Sequence, residues 1–128
     1  MNFIIIHGVY GNPEENWFPW LKKELEQNGS EVLVPKFPTP IGQSPESWLR
    51  IFSEFENKID GNTVLIGHSL GAVFILRYLE QAKKKIQKNE SRHKHAKRLR
   101  SRDSSLAINN NKLRTVITPV TISKLPNK

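Results

Sequence analysis

The sequence predicts an α/β fold built on a parallel sheet, and three observations lead to that class. Short apolar runs alternate with amphipathic stretches through residues 1–82. The runs are rich in β-branched and other apolar residues, as strands buried on both faces are, and show no regular alternation with polar residues. The third run, Thr63-Val64-Leu65-Ile66, passes through Gly67-His68-Ser69-Leu70-Gly71 into another apolar stretch, Ala72 to Leu79, so strand gives way to helix across a tight turn. The resulting order β-α-β-α-β-α implies parallel strands joined by right-handed crossovers, with helices covering the sheet in three layers as in Rossmann-like folds.

Each element has a local reason. Phe3 to Ile6, ending at His7-Gly8, is the first strand. Asn12-Pro13-Glu14-Glu15 reads as a cap, a proline at the first helical position and early acidic residues. Trp17, Trp20, Leu21 and Leu25 then follow at helical spacing as core or pocket-lining positions, up to Gly29. Glu31 to Val34, before Pro35, is the second strand, and Lys36 to Gln43, with Pro38, Pro40 and Gly42, is a loop expected over one edge of the site. Ser44-Pro45-Glu46 opens a helix whose Trp48, Ile51, Phe52, Phe55 and Ile59 form one apolar face, stopped by Asp60-Gly61-Asn62. Thr63 to Ile66 is the third strand, and the third helix runs from Leu70. With strand one between strands two and three, the carboxyl ends of the strands bring His7-Gly8 beside Ser69, where open α/β sheets carry their sites.

Charge divides the chain in two. The net charge is +8, yet residues 1–82 hold six Lys and Arg against ten Asp and Glu, while residues 83–128 hold fourteen against two. Every aromatic residue lies in the first part, the last being Tyr78. A segment of strong like charge with few large apolar groups buries too little surface to offset chain entropy. The reading is therefore a folded part at 1–82 and a basic tail at 83–128, poorly ordered beyond a helical extension. Cysteine is absent, which removes disulfide and thiolate chemistry and fits a reducing compartment, with the cytoplasm as the default. The stretch Met1 to His7 lacks the basic leader and apolar length of a signal peptide, and no run is long enough for a membrane span.

Gly67-His68-Ser69-Leu70-Gly71 is a GxSxG sequence between strand and helix, the arrangement of a nucleophile elbow. A serine on so sharp a turn needs neighbours without side chains, which Gly67 and Gly71 supply. Ser69 is thus the candidate nucleophile toward an acyl carbonyl. The oxyanion that forms needs fixed donors. One is the backbone N–H of Leu70, at the positive end of the third helix. The other is the N–H of Val9, in the turn after His7-Gly8. His68, at the variable position of the motif, is expected to pack or hydrogen-bond beside the elbow, and His7 to shape the turn. His93 and His95, amid basic residues without acidic or thiol partners, do not suit a metal.

The run His7-Gly8-Val9-Tyr10-Gly11-Asn12-Pro13-Glu14-Glu15-Asn16-Trp17, then Trp20-Leu21, Val34-Pro35, Phe37-Pro38, Trp48 and the GxSxG motif, resembles small serine hydrolases of the retinoblastoma-binding-protein-nine or YdeN-like family. The resemblance covers about residues 2–82. It implies an α/β-hydrolase fold of five or six parallel strands, an acyl-serine mechanism without metal or organic cofactor, and a triad whose serine matches Ser69. The acid and histidine of such a triad lie on later strands. From about Lys83-Lys84-Lys85 this sequence departs from that pattern, and Thr115 to Thr118, before Pro119, is its only later strand-like run.

The leading reading is the amino-terminal part of a serine hydrolase, acting on a small acyl substrate as an esterase or peptidase-like enzyme, truncated and without a visible base. A frame change near the three lysines would explain the departure. A second reading is an intact, divergent hydrolase in which His93 or His95 folds back to Ser69. A third is a non-catalytic protein whose tail binds nucleic acid or an acidic partner, set against a plain solvated charge run because no aromatic residue interleaves with the charges.

Overall fold

The computed structural model describes residues 1–92 in full and the backbone of residues 93–99 and 114–118. The elements are β1 (Asn2–Ile6), α1 (Phe18–Gln27), β2 (Glu31–Leu33), α2 (Pro45–Ser53), a 3₁₀ turn at Glu56–Lys58, β3 (Thr63–His68), α3 (Leu70–Leu99) and β4 (Arg114–Thr118). All strand pairs are parallel, in the order β2-β1-β3-β4. The three strands and their order match the sequence reading. That reading leaves the outer edge of β3 open. There β4 adds a fourth strand, with Ile66 opposite Val116 and Gly67 opposite Ile117.

Strand side chains alternate between faces with period two, and the core divides accordingly. Ile4, Ile6 and Leu65 point to one side, where they pack with Phe37, Trp48, Phe52, Phe74 and Ile75 from the β2–α2 loop, α2 and α3. Ile5, Val64 and Ile66 point to the other side and meet Phe18 of α1 and Val32. Both faces of β1 and β3 are thus covered, which explains runs apolar at every position.

The helix ends follow the sequence in two cases and correct it in a third. Ser44 caps α2 through a reciprocal box: its Oγ accepts from the Ser47 N–H at 3.0 Å, and the Ser47 Oγ accepts from the Ser44 N–H at 3.1 Å. Gly29, with φ +78°, closes α1, where its N–H bonds to the Glu26 carbonyl and the Ser30 N–H to the Leu25 carbonyl, a Schellman pair. The start of α1, however, is Phe18 and not Pro13. The Asn12 Oδ1 accepts from the Glu14 N–H at 2.8 Å, and Asn16 takes φ +57°. Together they make a turned segment, and the helix begins only at Pro19's turn. The frame shifts with it: Phe18 is the fully buried anchor, and Trp20 stands 64% exposed, not in the core. α2 likewise ends at Ser53, with Phe55 and Ile59 carried by the 3₁₀ turn and its flank.

The basic segment is helical as far as Leu99, so α3 runs for 30 residues. The expectation of poor order for the rest of the tail falls on residues 100–113 and 119–128, outside the described residues, apart from β4. Among the described residues, no helix is long and apolar enough to cross a membrane.

Candidate active site

Ser69 sits between the last residue of β3 and the first of α3, with φ +55°. A non-glycine residue pays roughly 1–2 kcal/mol in that left-handed region, so the surrounding backbone must impose it. Two close approaches do so. A Cβ on Gly71 would lie 2.2 Å from the Ile6 carbonyl oxygen and 2.7 Å from that of His7, so the first turn of α3 is pressed against the end of β1. A Cβ on Gly8 would lie 2.7 Å from Ser69 Cβ and 3.2 Å from Ser69 Oγ. The turn after β1 therefore rests directly on the serine.

That turn is held from below by His7, which is fully buried. Its Nδ1 lies 2.9 Å from the Gly8 carbonyl and its Nε2 lies 3.0 Å from the Phe37 N–H. The second bond requires an unprotonated Nε2, and the first then requires a proton on Nδ1, so the ring is a neutral bridge with both nitrogens engaged. It stands edge-on to Phe37 and Trp48, and the Trp48 indole N–H donates to the Pro38 carbonyl at 2.9 Å. The turn itself closes through the Gly11 N–H to the Gly8 carbonyl, with Tyr10 at φ +57°. The Tyr10 N–H donates to Thr39 Oγ1 at 2.9 Å. In this way the loop over residues 36–43 is stitched to the glycine turn, as its expected place over one edge of the site requires.

Val9 lies in this turn, 40% exposed, and Leu70 is the first residue of α3. Both candidate oxyanion donors thus flank Ser69.

His68 faces away from the reacting side. Its ring is edge-on to Trp17 and Phe18, the α1 side of the sheet. Its Nε2 is buried without a partner among the described residues. Burial lowers its pKa from the ordinary histidine value. It is a packing residue beside the elbow, as its place in the motif suggests.

His93 and His95 lie on α3, 23 and 25 residues beyond Leu70. At 1.5 Å per residue, that is roughly 35 Å along the axis. The continuous helix therefore rules out their folding back onto Ser69 and corrects that reading. Glu80 also lies on α3, where Lys84 holds its carboxylate at 2.6 Å. Asp103 is outside the described residues. The described residues bring Ser69 together with the glycine turn, and among them no acid–base pair joins the two.

Sequence reasoning placed His7-Gly8 beside Ser69, and in the structure Gly8 packs directly on the Ser69 side chain. The recurrence Gly8-Val9-Tyr10-Gly11 beside a buried histidine is the signal that marks it. Next to Leu70, α2 and α3 also enclose a cleft of about 200 Å³.

Comparison with known proteins agrees with this geometry. A family model described as "Serine hydrolase" matches residues 3–89, more than half of the chain. YdeN of Bacillus subtilis (strain 168) is 41% identical over 76 residues, covering 59% of this chain and 40% of that protein. Serine hydrolase RBBP9 of Rattus norvegicus is 42% identical over 65 residues, covering 50% of this chain and 34% of that protein. Among solved structures, the ydeN gene product from B. subtilis superposes with a TM-score of 0.59 at 39% identity, over 62% of this chain and 42% of that one. The matches thus span less than half of the length of each of these relatives. With a family match from the first strand through the elbow and into α3, the chain belongs to the serine hydrolase family.

Proposed function

We propose that Ser69 is the nucleophile of an acyl-serine hydrolase site, esterase or peptidase-like, for small acyl substrates. The observation that carries this reading is Ser69 at φ +55° with Gly8 packed on its Cβ and Oγ. Strain of this kind is kept where the surroundings over-determine it, and a serine presented on a strand-to-helix turn is exposed to an incoming carbonyl. The Leu70 and Val9 N–H groups are the oxyanion donors, each such donor being worth about 100- to 1,000-fold in rate. Attack forms the bond from Ser69 Oγ to the acyl carbon, the leaving group departs with the bonding pair, and the serine proton passes to a base.

That base is not among the described residues. Full hydrolysis calls for an acid and a histidine in addition to the residues described. A fluorophosphonate probe tests the assignment, because stable phosphonylation requires an activated serine. Labelling confined to the Ser69 peptide, slow and lost in Ser69→Ala, is the expected outcome. Labelling that persists in Ser69→Ala would contradict it.

A further inference from the structure

We infer that the cleft between α2 and α3 is an acyl-chain subsite selective for a short acyl group ending in a carboxylate; this rests on Ser69 as the nucleophile. The cleft begins at Leu70, the residue that carries the proposed oxyanion donor, and its walls are Pro45, Trp48, Val73 and Phe74, with Arg77 also lining it. Leu70, Val73, Phe74 and Arg77 recur at three and four residues, so they form one face of α3 running away from the serine. An acyl group attached to Ser69 with its carbonyl oxygen on the Leu70 N–H has this groove as its adjacent apolar surface.

The dimensions select the chain. A volume of about 200 Å³ is below the roughly 300–1,000 Å³ of pockets for drug-sized ligands, which favours a small acyl group. Arg77 lies seven residues beyond Leu70, roughly 10 Å along the axis, and helical side chains lean back toward the amino terminus. Its guanidinium therefore overhangs the far part of the groove. The six-carbon adipoyl group is the probe for a chain of this order.

Charge selects the terminus. Arg77 makes no ion pair within 4 Å among the described residues. Its acidic neighbour one turn on, Glu80, is held by Lys84. A planar guanidinium at the end of an apolar slot suits a carboxylate, which it can bind through two parallel hydrogen bonds.

Two measurements separate this subsite from the nucleophile assignment. In the first, the amide and indole N–H resonances of the full chain are followed by NMR during titration with adipic acid monoamide or with hexanamide. Shifts centred on the Trp48 indole, Leu70, Val73 and Arg77, larger for the monoamide and reduced in Arg77→Gln, are expected. Shifts elsewhere, or none, would overturn the subsite whatever Ser69 does.

In the second, acylation of Ser69 is read by peptide mass for the p-nitrophenyl esters of acetate, hexanoate and hydrogen adipate. Imidazole in solution takes the serine proton and p-nitrophenolate leaves. Each rate is normalised to the ester's reaction with imidazole alone. Adipoyl is expected to react about three- to fivefold faster than hexanoyl, the scale of one exposed charge pair. That ratio should fall to about one in Arg77→Gln and be partly kept in Arg77→Lys. Acetylation of Ser69 with no adipoyl preference would overturn the subsite and leave the nucleophile standing. Cleft shifts without any acylation of Ser69 would remove the nucleophile and overturn the acyl role of the cleft.

Discussion

At the scale of single residues, the site is a set of positions where one atom more or fewer decides the geometry. Ser69 holds its left-handed conformation because Gly8 and Gly71 let the neighbouring backbone come within contact distance. His68 contributes to the pH dependence of the fold. Its buried, unpartnered nitrogen keeps the folded-state pKa below the ordinary value of 6.5. Below that value the unfolded chain takes up a proton that the folded ring resists. The contribution is therefore fully present above pH 6.5 and is lost as the pH falls through the folded-state pKa beneath it. Denaturant midpoints at acid and neutral pH should draw closer together in His68→Phe than in the parent, since phenylalanine keeps the contacts with Trp17 and Phe18 and has nothing to protonate. An unchanged gap would place the acid sensitivity elsewhere. The sharp strand-to-helix turn at Ser69 was legible because glycine, serine and glycine at fixed spacing encode a steric requirement. The double role of His7 was not, because its partner Phe37 lies thirty residues away and is brought near only by folding.

At the scale of elements, alternation of apolar runs located every strand of residues 1–82, because strands covered on both faces leave no polar position to blur them. The start of α1 was misplaced because Asn12-Pro13 satisfies the chemistry of a helix cap and of a turn equally well. Asn16 at positive φ decides between them. β4 was recognisable as a strand-like run, but its pairing with β3 depends on α3 and the return of the chain. That pairing can be tested through the backbone. Successive N–H groups of a strand point to opposite edges, so one of Val116 and Ile117 donates toward β3. Of Val116→Pro and Ile117→Pro, at least one should lower stability in denaturant by about 1 kcal/mol or more, the scale of a lost ladder hydrogen bond. Two variants with unchanged midpoints would show that β4 does not pair.

At the scale of the whole molecule, a four-stranded parallel sheet carries a long helix that is cationic beyond its first turns. Beyond Lys83, α3 exposes Lys83, Lys84, Lys85, Lys88 and Arg92, and no aromatic residue accompanies them. Charge without stacking surfaces gives only salt-sensitive, nonspecific attraction to phosphates. Fluorescence anisotropy with a single-stranded oligonucleotide should detect binding at low salt and none at about 150 mM, where the Debye length is ~8 Å. Retained binding at that salt would favour the nucleic-acid role of the tail. At the other end of α3, the proposed function makes Ser69 a nucleophile with the Leu70 and Val9 N–H groups as oxyanion donors, and no base stands beside it among the described residues. Catalytic serines stripped of their triad partners keep a residual acceleration of roughly 10³ from the oxyanion hole and binding. The most direct test is the rate of Ser69 acetylation by p-nitrophenyl acetate as imidazole is added. In folded protein that rate should exceed the rate in denatured protein by on the order of 10³ and should rise in proportion to imidazole. A fast rate that ignores imidazole would reveal a resident base, and a rate no greater than in denatured protein would show that the elbow does not activate Ser69.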